Sequence, residues 1–435
     1  MKESLINEFK MRETSIEEAV KIVENGDVVN VGSFSGISTA LLNALGERED
    51  ITNITITGSN FVKPTPLFDQ PERCHVYTSF LGAEDRRILP SGILDYTCVH
   101  LSQVDIWCRE TCPPTVLFLE VSSPNEDGYM SLGTSSIACG KYLIEKATRI
   151  ILQINSKMPF VLGEDNKIHI TQADKIVYYD EDILELPPFP TTPEVEQISK
   201  FLIEQIPDGA CVQIGIGNIG NAVAYGLKDK NDLGIHTEML TESLVYLVEN
   251  GNVTNTKKAF KPDMTVSSFA LGSKHMYEFL DYNDKMCFMP FPIVNNPFII
   301  SQNDNMISIN SALQINLFGE VVSDNMNGLQ YSGCGGQLDF VRGAQMSKGG
   351  KSFIAIPSVN ISHRTGKVTS RIVSHFEPYT AVTTPRADTQ YVATEYGCVN
   401  LKPLAMRDRV HAMISLAHPD FRAELVEDAK NAGIY

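Results

Sequence analysis

The sequence contains no C-x-x-C pair, a single tryptophan, no low-complexity tract and no apolar run of the roughly 18 residues that a membrane-spanning helix requires. Each absence removes a class of protein. Nine cysteines without metal-type pairing, Cys74, Cys139, Cys211, Cys287 and Cys334 among them, read as reduced thiols of a cytoplasmic protein and not as a disulfide framework. Cys108 and Cys112 lie four apart, but no second ligand pair follows, so no metal is assigned. The N-terminal stretch MKESLINEFKMRET carries charge where a signal peptide needs an apolar core, which predicts a soluble, untargeted chain. Basic residues are also short, 36 Lys and Arg against 53 Asp and Glu for a net charge of −17, and this excludes nucleic acid as a partner. An anionic small molecule stays compatible, because a few local cations and backbone N–H groups can hold phosphates on an acidic protein. Arg342, Lys348, Lys351, Lys257, Lys258 and Lys261 are the candidates, with ordinary solvated surface residues as the alternative.

What is present is enough chain for more than one core. At 435 residues, 43% of them hydrophobic, the expectation is two or three compact units. Pro187, Pro188, Pro190 and Pro193 interrupt the segment ELPPFPTTP, where proline fixes φ and removes donors. A boundary is therefore expected there, giving an N-terminal domain 1–186, a linker 187–193 and a C-terminal domain 194–435. The stretches TSIEEAVKIVENGDVVNVGSFSGISTALLNAL and TPEVEQISKFLIEQIPDGACVQIGIGNIGNAVAYGL look like tandem copies. Each offers a helix, a glycine turn, a strand, a glycine-bearing loop and a second helix, and the first helix opens on a capping box, Ser15 with Glu18. The reading is α/β: two tandem, similar α/β domains with largely parallel sheets and the active site in the cleft between them, beyond the carboxyl ends of the strands.

The next strand is ITNITITG in the first copy and GIHTEML in the second, so only the second carries an acid, Glu238. It follows the turn Gly215-x-Gly217-x-x-Gly220, eighteen positions beyond its last glycine. Three readings compete for these residues. By spacing they spell a dinucleotide-binding fingerprint with Glu238 as ribose clamp, which implies an NAD-dependent oxidoreductase. Alternatively the turn cradles a phosphate or thioester and Glu238 is a covalent nucleophile. The plainest reading is a tight strand-to-helix turn and a solvated acid.

Further along, Ser332-Gly-Cys-Gly-Gly-Gln-Leu-Asp-Phe-Val-Arg342 places three glycines in four positions, which suits either close backbone approach to a ligand or a tight turn. Asn310 to Gln314 follow an apolar strand and are candidates for the same cleft. His411 and His418 are read as capping or packing residues.

Taken together, GIGNIGNAV, GIHTEM, QNDNMISINSALQ, SGCGGQLDFVRGA, VATEYG and AHPDFRAEL, with SSPNEDGYMSLG at 122–133 and IEEAVKIVENGD near the start, resemble the acetyl-CoA hydrolase/transferase family over nearly the whole chain. Within it the likeness is to the 4-hydroxybutyrate and butyryl-CoA:acetate CoA-transferase branch. The resemblance implies Glu238 as nucleophile, with CoA contacted by Gly215, Ile216, Gly217, Asn218 and Ile219, by Asn310 and Ala312, and by Gly335 and Gly336. It implies ping-pong transfer of CoA between an acyl-CoA and a small carboxylic acid through a glutamyl-CoA thioester, with CoA as substrate, no tightly bound cofactor and no metal. A homo-oligomer, dimer or tetramer, is expected. An acyl-CoA hydrolase using the same glutamate is the alternative within CoA chemistry, and a non-catalytic CoA sensor lies outside it. The loops Gly32–Gly36 and Gly58–Lys63 of the first copy occupy the equivalent strand-end positions and are expected to shape the acyl pocket. Two departures stand out: Ile219-Gly220-Asn221-Ala222 where the family has Ile-Pro-Asp-Ala, and Thr241-Glu242-Ser243 where it has Ser-Asp-Gly.

Overall fold

β-Branched and aliphatic runs bounded by glycine turns build the two large sheets. The computed structural model describes every residue except 136, 137, 139, 188 and 363, so Cys139 and Pro188 lie outside the described residues. The chain divides into two compact units. The first comprises Met1–Pro187, Glu238–Glu242 and Val266–Val294; the second comprises Pro188–Thr237, Ser243–Thr265 and Asn295–Tyr435.

The large sheet of the first unit has seven strands: β1 Val28–Ser33, β2 Ile54–Ser59, β3 Cys74–Thr78, β4 Leu94–Tyr96, β5 Val116–Val121, β6 Arg149–Ile154 and β7 Lys175–Tyr178. They pair in the order β4-β3-β2-β1-β5-β6-β7, all parallel. Every residue of β5, VLFLEV, is buried, the continuous pattern of a parallel strand covered on both faces. The helix Thr39–Glu47 lays Leu41, Leu42 and Leu45 on this sheet, in a core with Val29, Val31 and Ile56. The strand order reverses direction between β1 and β5, and open α/β sheets bind ligands at the carboxyl ends of strands at such a reversal.

The second unit holds β8 Cys211–Ile214, β9 Gly234–Ile235, β10 Met306–Ser311, β11 Lys351–Ala355, β12 Tyr391–Thr394 and β13 Gly397–Asn400. Their order is β9-β8-β10-β11-β12-β13, parallel except for the terminal β12–β13 hairpin. The reversal falls between β8 and β10. The tandem reading holds at the level of topology: β1 and β2 pair in parallel as β8 and β9 do, each pair bridged by a glycine turn and a helix. Ser15 caps its helix by accepting from the Glu18 N–H at 3.3 Å. His418 caps Pro419–Asn431, and the His411 ring packs on Tyr435. Among the described residues no helix is long and apolar enough to cross a membrane.

The compact units are not contiguous in sequence, because Glu238–Glu242 and Val266–Val294 pack in the first. The reason is local pairing. Met239–Leu240 bonds in parallel to Phe269–Ala270, and that ribbon is tied to the N-terminal segment by the Ala270 N–H donating to the Thr134 carbonyl at 2.9 Å.

Candidate active site

Strand β9 ends at Ile235, and the next two residues are fixed in the second unit. His236 is fully buried, its Nδ1 3.2 Å from the Asn303 side-chain amide and its ring against Phe260 and Phe340. Thr237 is likewise buried. The chain then joins the first unit at Glu238, whose carbonyl accepts three hydrogen bonds, from the Ser268 N–H at 3.0 Å, the Phe269 N–H at 3.2 Å and the Ser267 hydroxyl at 3.1 Å. From residue 233 to 241, Glu238 alone is not buried. The backbone is thus held in the first unit while the residue itself is only partly buried.

The departure at 241–243 has a structural function. Glu242 accepts from the Ser273 N–H at 3.2 Å and the Ser273 hydroxyl at 2.7 Å, and its other oxygen lies 3.0 Å from His275 Nδ1. Burial opposes ionisation of Glu242, but the Ser273 and His275 bonds outweigh it and hold the carboxyl below its usual range. The Ser243 hydroxyl donates to the Asn221 side-chain oxygen at 2.9 Å, so the two departures from the family pattern meet in one hydrogen bond.

In the second unit the predicted CoA residues gather at one edge of the sheet. The Gly215 N–H donates to the Ile309 carbonyl at 2.9 Å, joining the turn to the end of β10. Asn310 is bonded beneath it, exchanging contacts of 3.2 Å with Gln213 and donating to the Ser308 hydroxyl at 3.0 Å. Its side chain supports the turn. Gly217 adopts φ +124° as the residue before the helix Asn218–Gly226, and a Cβ on Gly220 would overlap the Gly215 carbonyl oxygen. Ala312 is buried just past β10. Gly335, at φ +58°, and Gly336 precede the helix Gln337–Met346, which connects β10 to β11 and so starts at the carboxyl edge of the sheet. Thus Gly215–Ile219, Asn310 with Ala312, and Gly335 with Gly336 share an edge, while Glu238 belongs to the other unit.

The fingerprint spelling has a steric origin: Gly220 is small because the Gly215 carbonyl lies against it, and Glu238 is not at the end of β9 where a ribose clamp would stand. Four candidate cations are engaged structurally. Arg342 forks onto Asp388 with two bonds of 3.1 Å, Lys351 donates to the Gln205 carbonyl at 3.0 Å, buried Lys258 donates to the Ile235 carbonyl at 2.8 Å, and Lys348 lies 3.7 Å from Asp304. Among the described residues, no three His, Cys, Asp or Glu side chains are grouped so as to hold a metal ion.

In the first unit the two strand-end loops differ. Phe61 is 1% exposed, edge-on to Phe68, with its N–H bonded to Asp85 at 2.7 Å, and belongs to the core while also lining the cavity that holds Lys63. Phe34, in the Gly32–Gly36 loop, is half-buried and stacks on Phe269 at 4.6 Å. That contact, the Ser267–Phe269 strap and the Gln213–Ser308 network had no signal in the sequence, since residue spacing says nothing about partners 29, 95 or 235 positions apart.

Parallel-sheet α/β units with glycine turns at strand ends carry many different activities, so kinship has to decide among them. The comparisons make the kinship specific. The acetyl-CoA hydrolase/transferase N-terminal domain matches residues 2–187 and the acetyl-CoA hydrolase/transferase C-terminal domain matches residues 272–429. The chain belongs to the acetyl-CoA hydrolase/transferase family. It is 37% identical over 431 residues to 4-hydroxybutyrate coenzyme A transferase of Clostridium kluyveri, covering 97% of this chain and 98% of that one. It is 35% identical over 432 residues to succinyl-CoA:cyclohexane-1-carboxylate CoA transferase of Geobacter metallireducens, covering 99% and 97%. The crystal structure of RipA from Yersinia pestis superposes with a TM-score of 0.94 at 38% identity, over 99% of this chain and 100% of that one.

Proposed function

We propose that this enzyme moves CoA between an acyl-CoA and a small carboxylic acid, with Glu238 as the covalent nucleophile. The observation that carries the reading is Glu238 itself, a half-exposed carboxylate on a backbone fixed by three hydrogen bonds, in a chain related over nearly its full length to CoA-transferases. The Glu238 carboxylate attacks the thioester carbonyl, giving a mixed anhydride and free CoA thiolate. The thiolate attacks the glutamyl carbonyl, leaving a glutamyl-CoA thioester and releasing the first acid. The second acid reverses both steps, which makes the kinetics ping-pong.

CoA is a substrate in this scheme, and no tightly bound cofactor or metal takes part. Its anionic groups we assign to the backbone donors of Gly215–Ile219 and of Gly335–Gly336, where a helix start favours negative charge. Binding the unreactive part of CoA offsets the cost of orienting the thioester. Transfer over hydrolysis follows if the bound intermediate is kept from water. A reducing, cytoplasmic setting and a homo-oligomer are part of the same proposal.

The test is chemical trapping. Incubation with acyl-CoA alone, borohydride reduction and peptide mapping should find the reduced alcohol at position 238. Glu238→Ala should abolish transfer, and Glu238→Asp should leave little, because one methylene misplaces the attacking oxygen. Label at another residue, or near-normal transfer by Glu238→Ala, removes the mechanism.

A further inference from the structure

Beyond the carboxyl ends of β1, β2 and β3 the first unit contains a narrow pocket whose walls include Phe34, Phe80, Leu101, Trp107, Ser59 and Ser79. Three observations connect it to the strap that carries Glu238. Phe34 stacks on Phe269 at 4.6 Å, Phe269 meets the pocket residue Phe291 edge-on at 5.9 Å, and the Phe269 N–H donates to the Glu238 carbonyl. Phe80 extends the same aromatic wall, 5.9 Å from Phe34. The pocket thus lies against the residues that hold the nucleophile, at the reversal of the first sheet.

Its chemistry is neutral. Among the described residues that line it, none carries a charged side chain. The polar groups are hydroxyls, one amide and the Cys108 thiol. The Ser59 and Ser79 hydroxyls are paired at 3.0 Å, so one proton and the remaining lone pairs are open to an uncharged polar group. A carboxylate buried there would have no counter-ion, which is among the costliest burials a protein can make. A neighbouring cavity of the same unit does hold a cation, Lys63, but Glu181 already neutralises it and Glu120 stands alongside.

We propose that this pocket takes the far end of the acyl group and restricts the enzyme to uncharged monocarboxylic acids, aliphatic or hydroxylated, against dicarboxylic acids of equal length. The inference rests on the CoA-transferase reading for its link to turnover, but not for its binding test. Trp107 is the only tryptophan in the chain, so intrinsic fluorescence reports on the pocket directly.

The experiment compares butyrate, 4-hydroxybutyrate and succinate, which have four carbons each and differ at the distal end. With acetyl-CoA as donor, kcat/KM for the first two should agree within about tenfold and succinate should fall at least about 100-fold below. Titrating the free protein should give a saturable Trp107 fluorescence change with butyrate and 4-hydroxybutyrate, and at least about a tenfold weaker one with succinate. Phe80→Arg, at a half-buried position, should narrow the butyrate-to-succinate preference at least about tenfold. Succinate turnover within tenfold of butyrate overturns the proposal and points to the Lys63 cavity. An unchanged Trp107 signal with all three acids also overturns it. Saturable binding without transfer to any acid, acetate included, would instead defeat the CoA-transferase reading and leave the pocket assignment standing.

Discussion

Phe34 and Phe269 stack with ring centroids 4.6 Å apart and planes 21° from parallel, and Phe34 does so from a left-handed backbone, φ +52°. A bulky residue there is strained, and such strain persists where surrounding contacts impose it. Phe34 follows Gly32, at φ +86°, where a Cβ would overlap the Gly36 carbonyl, so the loop has little room to relax. Phe34→Gly should therefore be more stable than Phe34→Ala by about 1 kcal/mol, since glycine removes the backbone strain that alanine keeps. Both should lose transfer activity if the stack positions the strap. Urea unfolding and steady-state rates separate the two effects, and alanine as the more stable variant would show that the strain is not there.

Gly217 and Gly220 make different demands on one turn. A Cβ at 217 meets open space but must adopt φ +124°, whereas a Cβ at 220 meets the Gly215 carbonyl oxygen. Gly220→Ala should displace the turn and weaken CoA binding more than Gly217→Ala, which should cost mainly stability, about 1–2 kcal/mol. CoA affinity by calorimetry on the folded variants decides it; an order with Gly217→Ala the more damaged in affinity would mean that side-chain clearance to ligand, and not the shape of the turn, sets the requirement.

The sequence made the α/β class, the repeat and the glycine turns readable, because periodicity and turn residues are local. Pro193 at the start of its helix and the Ser15 cap are of that kind. The return of Glu238–Glu242 and Val266–Val294 to the first unit was not readable in this way, since it depends on the Met239–Leu240 pairing with Phe269–Ala270. Two-residue strands leave no periodic trace. Phe61 shows the same limit: its position at a strand end was legible, but its burial against Phe68 and its bond to Asp85 are tertiary facts.

Asn221 and Ser243 carry a prediction about the departures from the family pattern. Their 2.9 Å hydrogen bond joins the helix after the glycine turn to the helix Glu242–Glu249. A double-mutant cycle of Asn221→Ala and Ser243→Ala should show a coupling of about 0.5–1.5 kcal/mol, the net worth of one such bond. Additive single effects would mean that the two departures are independent.

The last prediction concerns Glu120, a carboxyl 2% exposed that accepts from the Asn155 side-chain amide at 2.7 Å. Burial pushes its pKa from 4.5 up to about 8; the Asn155 bond opposes the shift, Glu181 adds to it and Lys63 opposes it. A carboxyl whose folded value lies above its unfolded value binds its proton more tightly when folded. Its contribution to stability is then complete below about pH 4.5 and lost as pH rises through about 8. Between those limits the wild type should lose up to about 1.4 kcal/mol per pH unit relative to Glu120→Gln, which keeps an oxygen acceptor for Asn155 and has no proton to release. Urea unfolding of both proteins from pH 5 to 9 tests this as a difference, so that groups common to the two cancel. Parallel profiles would mean that Glu120 is already ionised in the folded protein across that range.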